Sequence, residues 1–363
     1  MLKPALRLLL LATTAIINAG AWMSILAAYI SPEKSWLIAI SGLWFIYSYT
    51  VALLWFLLML FRSKIMAAIT LIPIIAGFPV FLKQWNITSN NHQSSLHQSL
   101  KVLTYNVRVF DLYNWTHNLE TRKEIFDFLK NENAGIYCFQ EYYTSTVPPF
   151  NNTDSLKKKL SIQQTHTLLP VKEYGTDEWG IATFSKYPII NKLTVFSDPE
   201  SANGCIATDV VLPNDTIRIY NVHLQSVRLG KNDYLFMSEF ANKDNQQRWL
   251  GIKRIVVRLK QAFEKRSRQA DIIKAHIQAC PYKVIVAGDL NDTPASYAYR
   301  QISSGLDDTF LTNGKGISTT YNGPLPGLRI DYIMHSGNLA CSSYHRHNIK
   351  LSDHYPVTAI IQY

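Results

Sequence analysis

The sequence predicts an α/β domain of two packed β-sheets flanked by helices, preceded by a segment of three transmembrane helices. Two observations lead there. The first 83 residues are almost entirely apolar, and from Lys101 onward short β-runs in hairpin-like order are interspersed with helical stretches. The 363 residues leave room for one large domain, for which a mixed α/β enzyme commonly uses roughly 200 to 250 residues, plus a smaller appendage.

The predicted boundaries are 1–83 for the membrane segment, 84–99 for a polar linker rich in Asn, Gln, Ser and His, and 100–363 for the α/β domain. The apolar stretches run over about 5–30, 36–61 and 65–82, each near the length of about 20 residues that crosses a bilayer as a helix. Arg7, at the start, is their only Asp, Glu, Lys or Arg, and the breaks at Ser31–Ser35 and Arg62–Lys64 read as tight turns. Lys3 and Arg7 ahead of an apolar run also suit a cleavable signal peptide, but two further spans follow at once, which favours a retained anchor. Lys3, Arg7, Arg62 and Lys64 fall on one side, against Lys34 and Lys83 on the other. The bias puts the amino terminus in the cytoplasm. Three spans then carry the chain after Lys83 to the outer face, the periplasm if the membrane is a bacterial inner membrane.

The formal net charge of +10 favours phosphate-rich partners such as nucleic acid, anionic headgroups or phosphorylated small molecules. Cys138, Cys205, Cys280 and Cys341 are widely spaced with no CxxC or Cys/His pattern, which argues against a structural zinc site.

In the second part, Lys101–Val107 alternates, with Val102, Thr104 and Asn106 on one face. Glu120–Asn131 has helical spacing, and Gly135–Phe139 and Gly180–Ser185 read as strands. Ile206–Leu212 and Thr216–Leu224 flank Pro213-Asn214-Asp215, the composition of a hairpin turn. A long basic helix or helix pair covers about Asn245–Ala279, then Val284–Ala287, Arg329–Met334 and Val357–Gln362 complete the strands.

Functional side chains stand at the ends of these runs: Asn106, Glu141, His223, Asp289 with Asn291, Asp331, and Asp353 with His354. Any one of them is most simply a cap or a turn residue. Together they supply carboxylates and an amide oxygen for a hard cation, two imidazoles for proton transfer and donors for a phosphoryl oxygen. Asn221 and His223 share a strand face, as do Asp289 and Asn291 if extension continues past Ala287.

The ordered segments Leu103-Thr-Tyr-Asn106-Val, Phe139-Gln-Glu141, Asn221-Val-His223-Leu, Gly288-Asp289-Leu-Asn291-Asp, Arg329-Ile-Asp331-Tyr-Ile and Ser352-Asp353-His354-Tyr-Pro-Val resemble the endonuclease/exonuclease/phosphatase family, the superfamily of deoxyribonuclease I, exonuclease III and neutral sphingomyelinase. The resemblance implies a four-layer αββα sandwich and Mg²⁺-assisted cleavage of a phosphate ester, with Mn²⁺ as a substitute ion. On the chemistry of the residues, Glu141 is expected to anchor the metal with Asn106 and Asp353 completing or steering its shell; by the resemblance, the remaining roles follow. Asp289 would orient or deprotonate water, Asn291 would donate to a phosphoryl oxygen, and Asp331 would hold His354 in a useful tautomer. His223 would be a general acid or phosphate contact, with the division of acid and base between the two histidines left open.

Arg329 is read either as a phosphate contact or as a surface arginine. The basic run Arg248–Lys274 is by default a solvated helix face, with nucleic acid or anionic lipid as alternative contacts. The leading expectation is hydrolysis of phosphodiester bonds, with nucleic acid as the broadest association. Lipid phosphodiesterase or phosphomonoesterase activity is the second reading, and a silent membrane-tethered binding module the third. The loops Tyr142–Gly175 and Ser226–Asn245 are expected to choose the substrate.

Overall fold

The computed structural model describes residues 4–86, 98–228, 244–323 and 327–363, together with 233, 236, 239 and 240. Most of the expected 84–99 linker and much of the 226–245 loop lie outside the described residues. The chain forms two compact units: one combines residues 1–84 with 225–268 and 292–300, the other holds 85–224, 269–291 and 301–363.

In the first unit, helix α1 spans Pro4–Leu26, and the second apolar stretch is α2 (Trp36–Ser41), a 3₁₀ turn and α3 (Phe45–Arg62) in succession; α4 follows over Lys64–Leu82. All three are long and apolar enough to cross a membrane. The outward surface is apolar, with Leu8, Ile16, Phe61 and Ile65 exposed. Polar groups turn inward instead. Trp55 Nε1 donates to Thr14 Oγ1 at 3.0 Å, Ser24 and Ser48 share a 2.7 Å bond, and the Tyr49 hydroxyl donates to the Ile74 carbonyl at 2.9 Å. Hydrogen bonds between helices add to side-chain packing in such a bundle when its surroundings are themselves apolar.

The second unit is built on strands β1 (Ser99–Asn106), β2 (Ile136–Ser145), β3 (Gln164–Glu173), β4 (Asp177–Ser185), β5 (Ile189–Ser197), β6 (Gly204–Leu212), β7 (Asp215–His223), β8 (Lys283–Asp289), β9 (Leu306–Asp308), β10 (Asp331–Ser336), β11 (Ala340–Arg346) and β12 (Val357–Gln362). They form two six-stranded sheets, ordered β11-β12-β1-β2-β4-β3 and β5-β6-β7-β8-β10-β9. Inner faces meet in a core that includes Val102, Cys138, Ile219, Ile285, Ile333 and Ala359. On the outer face of the first sheet, Leu103, Tyr105, Phe139 and Phe184 pack under helices α5 (Thr121–Glu132) and α6 (Asn152–Leu160). Against the second sheet lies the end of the long helix α7 (Asn245–Gln278), where the Tyr220 hydroxyl meets His276 Nδ1 at 2.7 Å. The unit is therefore an α/β sandwich of two sheets with helices outside both. Alternation along β1 works as the sequence predicts: Val102 points inward and Leu103 outward, so Asn106 ends the strand on the inner face.

All four cysteines are free thiols.

Candidate active site

Strand pairing brings three of the expected side chains onto one line. β7 runs parallel to β8 with His223 opposite Asp289, and β10 runs antiparallel to β8 with Asp331 opposite Asp289. All three share the parity of the buried Ile219, Ala287 and Ile333, so they close one end of the core between the sheets. Gly288 allows this close pairing: its φ is +151°, and a Cβ there would stand 2.0 Å from the Val222 carbonyl oxygen. Any side chain would push β7 away from the strand that carries Asp289.

The first sheet contributes Asn106 and Glu141. Asn106 Nδ2 donates to Asp289 Oδ2 at 3.0 Å and to Glu141 Oε1 at 3.3 Å, bridging two carboxylates. Its Oδ1 accepts from the Arg108 backbone N–H at 3.1 Å, inside a turn where residues 108–111 all have positive φ. Glu141 itself sits at φ +46° in a bulge, where the β2–β4 register shifts between Phe139 and Tyr142. A non-glycine residue held in the left-handed region at a bulge is a common way to re-aim a side chain toward a site.

His354 enters from the segment before β12. Its Nδ1 lies 2.9 Å from Asp331 Oδ2 and 3.1 Å from Oδ1, while its Nε2 is 3.8 Å from Asp289 Oδ2. His223 Nε2 is also 3.8 Å from that same oxygen. Ser352 locks the loop by donating to the Asn106 carbonyl at 2.8 Å and accepting from the His354 N–H at 3.2 Å. Thr320 Oγ1 accepts from the backbone N–H groups of Ile330 and Asp331 at 2.9 and 3.0 Å, and so fixes the start of β10. Arg108 Nε reaches Asp353 Oδ2 at 3.4 Å. Sequence reasoning missed Arg108 and Thr320, since neither carries a strand-end signal.

Electrostatics follow from this crowding. Burial and then the Asp353 charge push the Glu141 carboxyl up to about 7. Burial also raises the Asp289 carboxyl. Burial by itself would lower the His354 imidazolium, but the carboxylates of Asp331 and Asp289 outweigh it and hold that pKa well above its ordinary value. The cluster thus crowds four carboxyl groups, those of Glu141, Asp289, Asp331 and Asp353, into a volume whose facing cations are Arg108 and the His354 imidazolium. Its donors are mainly carboxylate oxygens with one amide, a set that fits a hard divalent cation. Asp289, Asp331 and His354 have ligand atoms within 4.8 Å of one another. Asp331 and His354 spend their facing atoms on each other, and Asp353 faces the Arg108 guanidinium.

Among the solved structures that resemble the chain are one described as endonuclease/exonuclease/phosphatase from Beutenbergia cavernae (16% identity, 73% of this chain and 72% of that one, TM-score 0.51) and one from Bacteroides vulgatus (19%, 73% and 99%, 0.52). No curated protein matches the chain. The sequence model of the Endonuclease/Exonuclease/phosphatase family matches residues 103–354, about two thirds of the chain. The chain belongs to this family. Members of the endonuclease/exonuclease/phosphatase family generally hydrolyse phosphate esters, and the matched residues begin just before Asn106 and end at His354, enclosing every side chain of the cluster.

Two expected roles change in place. Both hydrogens of the Asn291 amide are engaged, one by the Leu224 carbonyl at 3.0 Å and one by Asp289 Oδ2 at 3.3 Å, and its backbone N–H donates to Asp289 Oδ1 at 2.7 Å. Asn291 clamps Asp289. Its φ of +50° also takes it out of the extended conformation that a shared strand face with Asp289 required. Arg329 is buried, with NH1 2.7 Å from Asp308 Oδ2 and the guanidinium over the rings of Phe310 and Tyr332. Neither a surface arginine nor a phosphate contact, it is an internal ion pair. Asn221, which shares the parity of His223, is spent between the sheets, where it donates to the Phe139 and Ala182 carbonyls and accepts from Gln140.

Proposed function

We propose that the protein is a divalent-metal-dependent hydrolase of phosphodiester bonds, held to a membrane by its three N-terminal helices. The observation that supports this most directly is the convergence of His223 Nε2 and His354 Nε2 on one oxygen of Asp289, each at 3.8 Å. Those gaps are too long for direct hydrogen bonds, and a water that touches both imidazoles and the carboxylate would sit beside the triangle they form.

Glu141 and Asp353 would hold Mg²⁺, with Mn²⁺ as a substitute, and Asn106 would steer Glu141. The bound cation supplies neutralisation of the charge that repels an incoming oxygen. Asp289, kept in place by Asn106 and Asn291, accepts the proton of the attacking water. His354 carries a proton on Nδ1 toward Asp331, and its Nε2–H faces the reacting phosphate. His223 completes the cradle as a phosphate contact. As the new P–O bond forms and the ester P–O bond breaks, one proton moves to Asp289 and one is returned to the leaving oxygen from the imidazole side. The products are a phosphomonoester and an alcohol.

A lipid substrate is favoured over nucleic acid by one feature, the three apolar helices that would confine the enzyme to a bilayer surface. The bias of Lys and Arg supports a catalytic unit on the outer face. The test is hydrolysis of bis(p-nitrophenyl) phosphate, single- and double-stranded DNA and sphingomyelin by the full chain in detergent micelles, with and without EDTA. Asp289→Ala and His354→Ala serve as controls. Mg²⁺-dependent turnover lost in both variants supports the mechanism, and the preferred substrate separates the lipid from the nucleic-acid reading. A folded protein that binds no divalent cation would overturn it.

A further inference from the structure

The first unit contains more than the apolar helices, because the amino-terminal part of α7 belongs to it as far as Arg268. Residues 245–268 carry eight Lys and Arg and one acid, Glu264. On one side of the helix, Gly251 is covered by the Phe236 ring, and Arg254 and Arg258 pair with Asp233. At about 100° per residue, the side roughly opposite Gly251 holds Trp249, Lys253, Val257 and Lys260. That side is open along much of its length: Trp249 is 67% exposed and Val257 43%, with Leu250 and Ile252 flanking them at 56% and 39%.

The same stripe runs into the span ends. The Lys260 ammonium sits 5.9 Å from the centroid of Trp36, the first residue of the second span. Eight residues on, Arg268 pairs with Glu33, in the turn that joins the first span to the second. These two contacts lie about 12 Å apart along the helix axis yet land on residues three apart in one connecting turn. The helix therefore runs alongside the mouth of the bundle, with its Trp249 stripe on the side that meets Trp36.

We propose that residues 245–260 form an interfacial helix that lies in the headgroup layer of an anionic bilayer, with Trp249, Leu250 and Val257 at the acyl boundary and Lys253 and Lys260 among lipid phosphates. An amphipathic helix with Lys and Arg beside Trp and aliphatic residues has the composition of such elements. Its occupant is fixed by continuity with the spans and by charge complementarity with anionic lipid. The inference rests on the membrane-anchored reading above.

A Cys280→Ser background leaves only the buried Cys138, Cys205 and Cys341, so single cysteines can be labelled with an environment-sensitive dye in the full chain reconstituted into vesicles of phosphatidylcholine and phosphatidylglycerol. Labels go at Trp249→Cys, at Lys265→Cys on the Gly251 side, and at Ile16→Cys on the exposed face of the first span. With lipids brominated near the headgroup, the label at 249 is expected to be quenched and that at 265 spared. With lipids brominated at the chain end, the label at 16 is expected to be quenched. Lys253→Glu is expected to shift the docked-to-undocked ratio at 249 by about fivefold. Quenching at 16 with none at 249 overturns the interfacial helix while leaving the anchor standing. No quenching at either position overturns the anchor itself. Protection of 249 from aqueous iodide without lipid quenching assigns the face to a protein neighbour and likewise overturns the proposal.

Discussion

Asn106 and Asp289 stand at the ends of strands in different sheets, and a single 3.0 Å hydrogen bond from Asn106 Nδ2 to Asp289 Oδ2 joins them. The proposed metal ligand Glu141 and the proposed base Asp289 are thus set by one amide, which donates to both.

Replacing that amide should damage turnover more than binding. Asn106→Ala is expected to lower kcat by about a hundredfold or more with little change in KM, the pattern of a lost positioning interaction. Asn106→Asp places a third carboxylate against the other two and should be worse at neutral pH. Steady-state kinetics on both variants, checked by their unfolding midpoints, decides the point.

The Asp331–His354 contact sets the proton inventory. The folded-state pKa of His354 is raised, so the stability it contributes is fully present below its unfolded value of about 6.5 and fades as pH climbs through the raised value. Asp331→Asn removes the first of the charges that raise it and should bring the His354 pKa down, as NMR titration of the imidazole would report. With His354 as proton donor, the alkaline limb of the kcat profile should move to lower pH in parallel. An unmoved limb would assign the donor role to His223.

Cation binding should depend on pH through Glu141. A carboxyl pushed up to about 7 is held protonated by the fold, so ionising it between about 4.5 and 7 costs the metal-free protein stability. A divalent cation relieves that cost. The rise in Tm on adding Mg²⁺ is expected to grow from pH 5 to pH 7.5, with proton release in calorimetry at the acidic end. Glu141→Gln should abolish the Mg²⁺ effect and most activity together.

Arg329 offers a contrast between structure and catalysis. Arg329→Ala strands the Asp308 carboxylate in the interior, an effect on the order of 3 to 5 kcal/mol for buried pairs. Chemical denaturation should show that loss, while KM of the folded fraction stays unchanged. A raised KM at normal stability would restore the phosphate contact.

Acid sensitivity should arise away from the site. Burial, and then the Lys192 charge, lower the His166 imidazole to about 4, and its Nδ1 shares a 2.8 Å bond with Thr208 Oγ1. Its folded pKa lies below its unfolded one, so stability present above about pH 6.5 is lost as pH falls toward 4. His166→Gln should flatten the fall of the denaturant midpoint across that window.

Hydropathy alone located the three long apolar helices, because a helix long enough to cross a bilayer must be apolar along nearly its whole length. Period-two alternation likewise put Val102, Thr104 and Asn106 on one face before any fold was known. The ordered motifs named the side chains of the cluster. Three placements could not be read this way. Glu141 looked like the end of a strand, yet β2 continues to Ser145 through a bulge. Arg329 looked like the start of the strand Arg329–Met334, yet β10 begins at Asp331. Strands β3, β5 and β11 have weak or broken alternation, β9 has only three residues, and all four went unread. The tertiary structure alone decided that His223, Asp289 and Asp331 lie side by side, since β7, β8 and β10 are distant in sequence and become neighbours only when the sheet assembles. It also decided that Asn221, of the same parity as His223, is consumed as a tie between the sheets, because its amide lies where the Phe139, Ala182 and Gln140 groups need a partner.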